Sequence, residues 1–206
     1  MDATVEDGLA GVLAVSLEPG ASLLAASGSL VDHTGGIRVE RARKGVLRSV
    51  ANAAQQREVT PVRVTAAGGT TATVRFAPGR IGAVGSCDLD SAGVVSVARS
   101  AFLAAPGDTD IGAGSVGNAP TRGMGVLLTE LSGSGTAYVS GPGRVERVAL
   151  GGGDTRVVAT DHVVAFDDRV GAGVERVSAM EDAPAVARFH GPGAVWLSSR
   201  PRGARE

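Results

Sequence analysis

The chain has 206 residues, of which 20 are basic and 21 are acidic, so its formal net charge is −1. This length suits one domain or a compact set of small repeats, and 43% hydrophobic residues exclude a disordered chain. The 29 valines far outnumber the 14 leucines and 3 isoleucines. Valine favours strands because its branched side chain is stiff, so the composition predicts an all-β fold.

The predicted elements, in chain order, are short Val-rich runs separated by Gly, Pro, Asp and Ser. Strands at spacings near ten residues indicate a sandwich or barrel rather than alternating strands and helices. The predicted strands are 9–17, 22–31, 59–66, 70–76, 80–84, 93–98, 102–105, 125–131, 135–140, 144–150, 155–159, 163–166, 174–178, 185–189 and 194–198.

One segment, 41–56, is predicted to form a short helix, because Val46, Val50 and Ala53 recur at helical spacing. It lies in a basic cluster that runs from Arg38 to Arg57. The members of this cluster are Arg38, Arg41, Arg43, Lys44, Arg48 and Arg57. On a helix, three of them share one face that suits RNA, DNA or anionic lipid. A near-neutral chain with six aromatic residues favours a solvated face or an intersubunit surface instead.

Internal repeats are the most informative feature of the sequence. Placing Leu89 over Leu150, an offset of 61 residues, aligns two apolar strands without gaps. Placing Leu17 over Leu89, an offset of 72, aligns the same pattern again, and an offset of 58 places Tyr138 over Trp196. Chance matches in a chain rich in Val, Ala and Gly are the alternative. We predict one domain, 1–206, built of three β repeats at about 9–76, 77–140 and 141–200, with a tail at 201–206.

Several ordered segments carry a family resemblance. They are Leu-Glu-Pro-Gly at 17–20, Gly-Ser-Leu-Val at 28–31, Ala-Phe-Leu-Ala at 101–104, Gly-Val-Leu-Leu at 125–128, Leu-Ser-Gly-Ser-Gly at 131–135, Asp-His-Val-Val-Ala-Phe at 161–166 and Phe-His-Gly-Pro-Gly-Ala-Val-Trp-Leu-Ser-Ser-Arg at 189–200. Over 15–200 the chain resembles the altered-inheritance-of-mitochondria protein 24 family, whose bacterial members carry an unknown-function label. The closing segment and Phe-Leu-Ala are its most specific parts.

The resemblance implies a shortened double-stranded β-helix in three repeats, similar to the fold of the tryptophan RNA-binding attenuation protein. It also implies a homo-oligomer, with a trimer favoured. A mitochondrial member is associated with inner-membrane organisation, and we do not transfer that role to this chain. The family has no agreed catalytic residues, so the resemblance assigns none here.

Candidate catalytic and metal-ligating residues are few. The three histidines, His33, His162 and His190, lack the clustered His-x-His spacing that β-helix enzymes use for metal. Ser115 and Ser134 lie among glycines, but neither has the strand–elbow–helix context of a nucleophilic serine, and both are expected in loops. We therefore predict no catalytic residue, no metal and no cofactor.

The cysteine and glycine patterns likewise indicate no catalytic or phosphate-binding residue. Cys87 has no nearby cation to activate it and is expected to be a packed or loop thiol. The Gly-rich segments 151–153 and 191–193 do not continue into Gly-Lys-Ser or Gly-Lys-Thr, so they are predicted to be turns rather than phosphate loops. Phe102, Tyr138 and Trp196 occupy recurring apolar positions and are expected to anchor the core.

The composition also bears on location. A single cysteine permits no internal disulfide and fits a reducing compartment. The start of the chain is acidic rather than basic and apolar, and no run approaches the roughly 20 apolar residues of a membrane span. Arginine-rich, Ala/Gly/Val-rich composition is typical of a GC-rich bacterial gene. We expect a bacterial cytoplasmic protein.

These observations favour a non-enzymatic, oligomeric β scaffold or interaction protein of unknown biological role, with possible protein partners. The alternative is a ligand-binding module that takes RNA or an anionic small molecule through the basic face at 41–48. A metal-dependent β-helix enzyme is the third hypothesis. Repeats of this kind present sheet edges that must be covered, and a closed ring of subunits would cover them.

Overall fold

The computed structural model describes residues 2–6, 10–42, 61–116, 126–177 and 185–202. Within these ranges the chain folds almost wholly into antiparallel strands, which confirms the all-β prediction. The described helices are α1 (Leu89–Ala92) and two single 3-10 turns, Arg99–Ala101 and Thr160–His162. No helix in the described part of the chain has the length and hydropathy needed to cross a bilayer.

After β1 (Asp2–Glu6), the described strands fall into three consecutive sets of six, which we call units. The first unit holds β2 (Val12–Leu17), β3 (Ser22–Ala26), β4 (Leu30–Thr34), β5 (Ile37–Arg41), β6 (Pro61–Ala66) and β7 (Ala72–Phe76). The second holds β8 (Gly82–Asp88), β9 (Val94–Ala98), β10 (Phe102–Pro106), β11 (Asp110–Val116), β12 (Val126–Ser132) and β13 (Thr136–Pro142). The third holds β14 (Val145–Leu150), β15 (Thr155–Ala159), β16 (Val163–Asp167), β17 (Gly171–Arg176), β18 (Ala185–His190) and β19 (Gly193–Ser198).

The six strands of each unit pair in the same way. The sixth strand lies between the first and the third, as β7 does between β2 and β4. The fifth strand lies between the second and the fourth, as β6 does between β3 and β5. The second and third units repeat both arrangements.

Strand pairing also joins neighbouring units. At the first junction β3 pairs with β10, and Ala25 lies opposite Ala104. At the second junction β9 pairs with β16, and Val97 lies opposite Ala165. These junctions produce two six-stranded sheets with the orders β5-β6-β3-β10-β13-β8 and β11-β12-β9-β16-β19-β14. The other described strands form two smaller sheets, β1-β2-β7-β4 and β15-β18-β17.

The core lies between these sheets and follows the period-two alternation of the strands. In β2, for example, Leu13, Val15 and Leu17 are fully buried, and the residues between them are half-buried. Phe102, Tyr138 and Trp196 are buried as well, which confirms the predicted core anchors.

The third strand of every unit contains an irregularity in register. The pairing skips one residue, which is Val31 in β4, Leu103 in β10 and Val164 in β16. Leu103 and Val164 are completely enclosed, with 1% and 0% of their surfaces exposed. This one-residue skip turns an extra apolar side chain toward the protein interior in the second and third units.

Several elements differ from the predicted ones. The single strand predicted at 22–31 is two strands, β3 and β4, because the chain turns at Gly28, whose φ of 85° is accessible to glycine. Strands β1, β5 and β11 were not predicted. The loop predicted around Ser115 is wrong, since this residue lies in β11, which pairs with β12.

The short helix predicted over 41–56 is wrong at Arg41, which is the last residue of β5 and pairs with Val62. Pairing with β6 places this residue in a sheet, which outweighs a weak helical pattern. Residues 43–56 lie outside the described part of the chain, so the rest of that helix stays a prediction. The repeat boundaries and the double-stranded β-helix also stay predictions.

The junction side chains should dominate stability. Leu103→Ala removes a fully buried side chain beside the β3–β10 pairing and should lower the free energy of unfolding by about 2–5 kcal/mol. The control Ile81→Ala changes a side chain that is 63% exposed and should cost no more than about 0.5 kcal/mol. Urea denaturation of the two variants checks this, and equal effects would contradict the assigned packing.

Candidate interaction surface

The crevice beside Trp196 holds the densest group of charged side chains among the described pockets. It encloses about 280 Å³ and is lined by Asp88, Arg147, Asp167 and Arg169 as well as by Trp196. The Arg147 guanidinium lies over the indole ring, 5.6 Å from its centroid, and the indole N–H donates to the Ser86 carbonyl at 2.9 Å. These contacts bind the side chains to one another.

Asp167 is the buried acid of this crevice, and its contacts are structural. Its Oδ2 accepts the backbone N–H of Ala194 at 2.9 Å and a guanidinium N–H of Arg169 at 2.6 Å. The first bond fixes the end of β16 to the start of β19. No described nucleophile lies within hydrogen-bonding distance of Asp167, so this geometry gives no catalytic pair.

The three histidines lie on different elements. His33 is exposed on β4, with Nδ1 3.1 Å from the Gly35 carbonyl. His162 Nδ1 lies 2.7 Å from the Ser198 carbonyl, and His190 Nδ1 lies 2.9 Å from Thr155 Oγ1. The described residues contain no group of three or more His, Cys, Asp or Glu side chains arranged to hold a metal ion.

The other sequence candidates also have structural surroundings. Ser134 lies in the Gly-rich turn between β12 and β13, and 151–153 joins β14 to β15, both as predicted. Cys87 is a free, buried thiol. Arg202, predicted to belong to a tail, instead donates to the Thr160 carbonyl at 3.0 Å.

Only the first two members of the basic cluster are described. Arg38 and Arg41 both lie on β5, three residues apart, so their side chains point to opposite faces of the sheet. These two residues therefore do not form a single basic face. The remaining members, Arg43, Lys44, Arg48 and Arg57, lie outside the described residues.

The two smaller sheets have four edge strands among the described residues, β1 and β4 in one and β15 and β17 in the other. Of these, β4 is the third strand of its unit and β15 the second, the two positions that pair between units elsewhere. Among the described residues, β4 pairs only with β7, and β15 pairs only with β18. The other side of each strand presents backbone N–H and C=O groups that can pair with another strand. Every residue of β4 and all but one residue of β15 are exposed.

These open strands correspond to the strands that pair at the internal junctions. The offset of 72 residues carries β3 onto β9 and β4 onto β10, residue for residue. The offset of 61 carries β9 onto β15 and β10 onto β16 in the same way. Strand β15 is therefore the counterpart of β3 and β9. Strand β4 is the counterpart of β10 and β16, the strands with which β3 and β9 pair at the junctions.

The exposed side chains on these strands follow the same correspondence. Val31 is 53% exposed, although its counterparts in β10 and β16 are enclosed. Val157 in β15 is 47% exposed, whereas its counterpart Leu24 is fully buried in the first junction. The counterpart of Val157 at the second junction is Ser96, which is half-buried. Each open edge thus carries an apolar residue at a position that at least one internal junction buries.

One ion pair distinguishes the β4 edge from its counterparts. Arg75 lies opposite Asp32, where the other units place Tyr138 opposite Ala104 and Trp196 opposite Ala165. Arg75 Nε donates to Asp32 Oδ1 at 2.9 Å, and a second contact joins Nη2 to Oδ2. The hydrogen bond from Arg75 lowers the pKa of Asp32. Sequence reasoning missed this pair, because nothing in the local pattern brings residues 32 and 75 together.

The fold and these edges define an all-β protein of three units in which β4 and β15, among the described residues, lack the pairing that their counterparts make. The sequence matches the family described as mitochondrial biogenesis AIM24 over residues 4–200, so the chain belongs to that family. A crystal structure of the protein SPYM3_0169 from Streptococcus pyogenes is similar to this chain, with a TM-score of 0.78 at 19% identity. The similarity covers 97% of this chain and 94% of that one, and it shows a shared fold. A search of curated proteins found no match.

Cys87 should make stability depend on alkaline pH. Burial raises the pKa of this thiol well above its ordinary value of 9.0. Above that pH the unfolded thiol loses its proton while the folded thiol keeps it, so the unfolded state becomes favoured. The free energy of unfolding should fall as pH rises past 9, by up to about 1.4 kcal/mol per pH unit.

Urea denaturation of the wild type and Cys87→Ala between pH 8 and 10 measures this effect. The wild type should lose more stability over that range than the variant. Burial also raises the pKa of Tyr138, but that residue is common to both proteins and cancels in the comparison. Identical slopes would show that the thiol is accessible to solvent.

Proposed function

We propose that this protein is a non-enzymatic scaffold or interaction protein that assembles from copies of itself, with β4 of one copy pairing with β15 of the next. One observation carries the proposal. The strand order β17-β18-β15 followed by β4-β7-β2 corresponds strand by strand to each of the two complete six-stranded sheets. The two smaller sheets therefore resemble the two halves of a third six-stranded sheet. The first unit supplies one half and the third unit supplies the other.

The register of the proposed pairing is inferred from the internal junctions. At the first junction Ala25 lies opposite Ala104. The repeat offsets carry position 25 to Val158 and position 104 to Asp32, so these two residues would lie opposite each other in the proposed pairing. Transferring Val97 opposite Ala165 gives the same pair. The next residues along the strands place Val157 opposite His33 and Arg156 opposite Thr34. Agreement between two independent junctions supports this register.

Because the proposed contact joins two different edges, each copy that pairs through one edge still offers its other edge to a further copy. Copies therefore add in the same way until they close into a ring. Closure leaves no β4 or β15 edge free, which removes the hazard that these two edges present. We favour three copies, because the family resemblance implies a trimer. The same proposal places the protein in the cytoplasm, on the support of its single, buried cysteine.

A lysine at the edge tests the assembly. Val157→Lys puts a charge where the counterpart Leu24 is enclosed, so it should convert the oligomer to single chains in native mass spectrometry. The matched control is Val177→Lys, which changes a valine that is 64% exposed and lies outside β4 and β15. The control should keep the wild-type mass. A monomeric wild type, or an oligomeric Val157→Lys, contradicts the proposal.

Cysteine cross-linking tests the register. In a Cys87→Ala background, His33→Cys with Val157→Cys places two thiols directly opposite each other, at a separation that a disulfide spans. Mild oxidation should give covalent multimers, and the largest one counts the copies in the ring. The control pair, His33→Cys with Val158→Cys, points its thiols to opposite faces of the sheet and should not cross-link. Cross-linking of the control pair alone would show a different register.

A further inference from the structure

A pocket of about 250 Å³ lies at the junction of the first and second units. Its walls are the turn from Ala26 to Ser29, the chain after β7, and the 3-10 turn that begins at Arg99. Four hydroxyl groups line it, from Ser27, Ser29, Ser100 and Ser140. Arg99 is its charged lining residue, and no carboxylate from the described residues lines it.

The Arg99 side chain has polar groups without partners. Its Nη1 atom is buried and makes no hydrogen bond to the described residues. A guanidinium carries five N–H donors and a permanent charge, and burying such donors without acceptors costs free energy. By contrast, Arg169 and Arg188 each face a carboxylate, at 2.6 Å and 2.5 Å. Among the described residues Arg99 thus has no carboxylate partner, and its side chain lines a pocket that is large enough for an anion.

The corresponding crevice at the second junction is filled by the chain itself. That crevice lies between two 3-10 turns, Arg99–Ala101 and Thr160–His162. The two turns correspond to each other at the repeat offset of 61 residues. Arg202 sits between them, donating to the Thr160 carbonyl at 3.0 Å and to Ser100 Oγ at 3.4 Å. Burial lowers the pKa of Arg202.

The two crevices differ in what occupies them. The Arg202 side chain lies in the second crevice and donates to the backbone carbonyl of Thr160. The first crevice is open and carries the Arg99 side chain in its wall, at the position that corresponds to Thr160 by the repeat offset, so an anion is the occupant that complements its charge. Arg80 adds to the positive potential nearby, because its Nη1 donates to the Arg202 carbonyl at 2.7 Å.

We propose that this pocket binds the oxyanion group of a small molecule, a phosphate or a carboxylate, with Arg99 as the main ligand and the hydroxyls of Ser27 and Ser100 as further donors. The Ser29 and Ser140 hydroxyls already donate to the carbonyls of Ala26 and Ala101. Guanidinium groups bind both kinds of oxyanion through paired N–H bonds. The volume exceeds that of a bare phosphate ion, which leaves space for the body of a small metabolite. The site lies within one chain, apart from β4 and β15, so it does not depend on the proposed assembly.

Calorimetric titration of the full chain with inorganic phosphate, and separately with citrate, tests the site at constant ionic strength. The wild type should bind at least one of them saturably, with a Kd in the range of about 0.01–10 mM. Arg99→Gln should weaken binding at least tenfold. The control Arg144→Gln removes the same charge from an exposed residue outside the pocket and should bind as the wild type does. Saturation by phosphate alone or by citrate alone supports the proposal and identifies the oxyanion.

A second variant covers the case in which Arg99→Gln fails to fold. Ser100→Asp changes an exposed residue on the rim and supplies a carboxylate beside Arg99. It should fold, raise the urea midpoint and abolish the response to phosphate and citrate. The proposal is overturned if neither anion saturates the wild type, or if Arg99→Gln or Ser100→Asp binds with wild-type affinity.

Discussion

Backbone hydrogen bonding between units is the constraint on which the architecture depends. A buried strand must pair its N–H and C=O groups, and each unit alone has only enough strands for two three-stranded groups. The chain meets this requirement twice by pairing the second strand of one unit with the third strand of the next. An alanine of one unit lies opposite a residue of the other at both places, Ala104 opposite Ala25 and Ala165 opposite Val97.

The register irregularity in the third strands makes these junctions specific. An extra residue in one strand changes which side chains face inward, and a slip of one position would reverse them. Leu103 and Val164 occupy this place at the two internal junctions, and both are enclosed. The first unit keeps the same irregularity at Val31 although no described strand covers it. An exposed apolar residue at this irregularity supports the proposed pairing of β4 with a strand of another copy.

The sequence predicted the class of fold and the correspondence between β3, β9 and β15, because these strands are short apolar runs that align without gaps. It failed for β5 and β11, where charged residues and glycines hide the alternation, and it merged β4 with β3 across Gly28. It also gave no sign of which edges stay open, or that Arg99 Nη1 has no hydrogen-bond partner among the described residues. Both properties depend on contacts between residues far apart in the chain, which local patterns do not contain.

The ion pair at the β4 edge fits the proposed difference between an internal junction and a junction between copies. An internal junction forms as the chain folds, and the aromatic side chains of Tyr138 and Trp196 are buried in the folded chain. An edge that must stay in water before it finds a second copy gains solubility from charge, and charged edges also reject unrelated strands. Arg75 and Asp32 satisfy each other in the exposed state, at little net gain in stability. In the proposed assembly a neighbouring strand would exclude water and strengthen their attraction, so the same pair suits both an exposed edge and an assembled sheet.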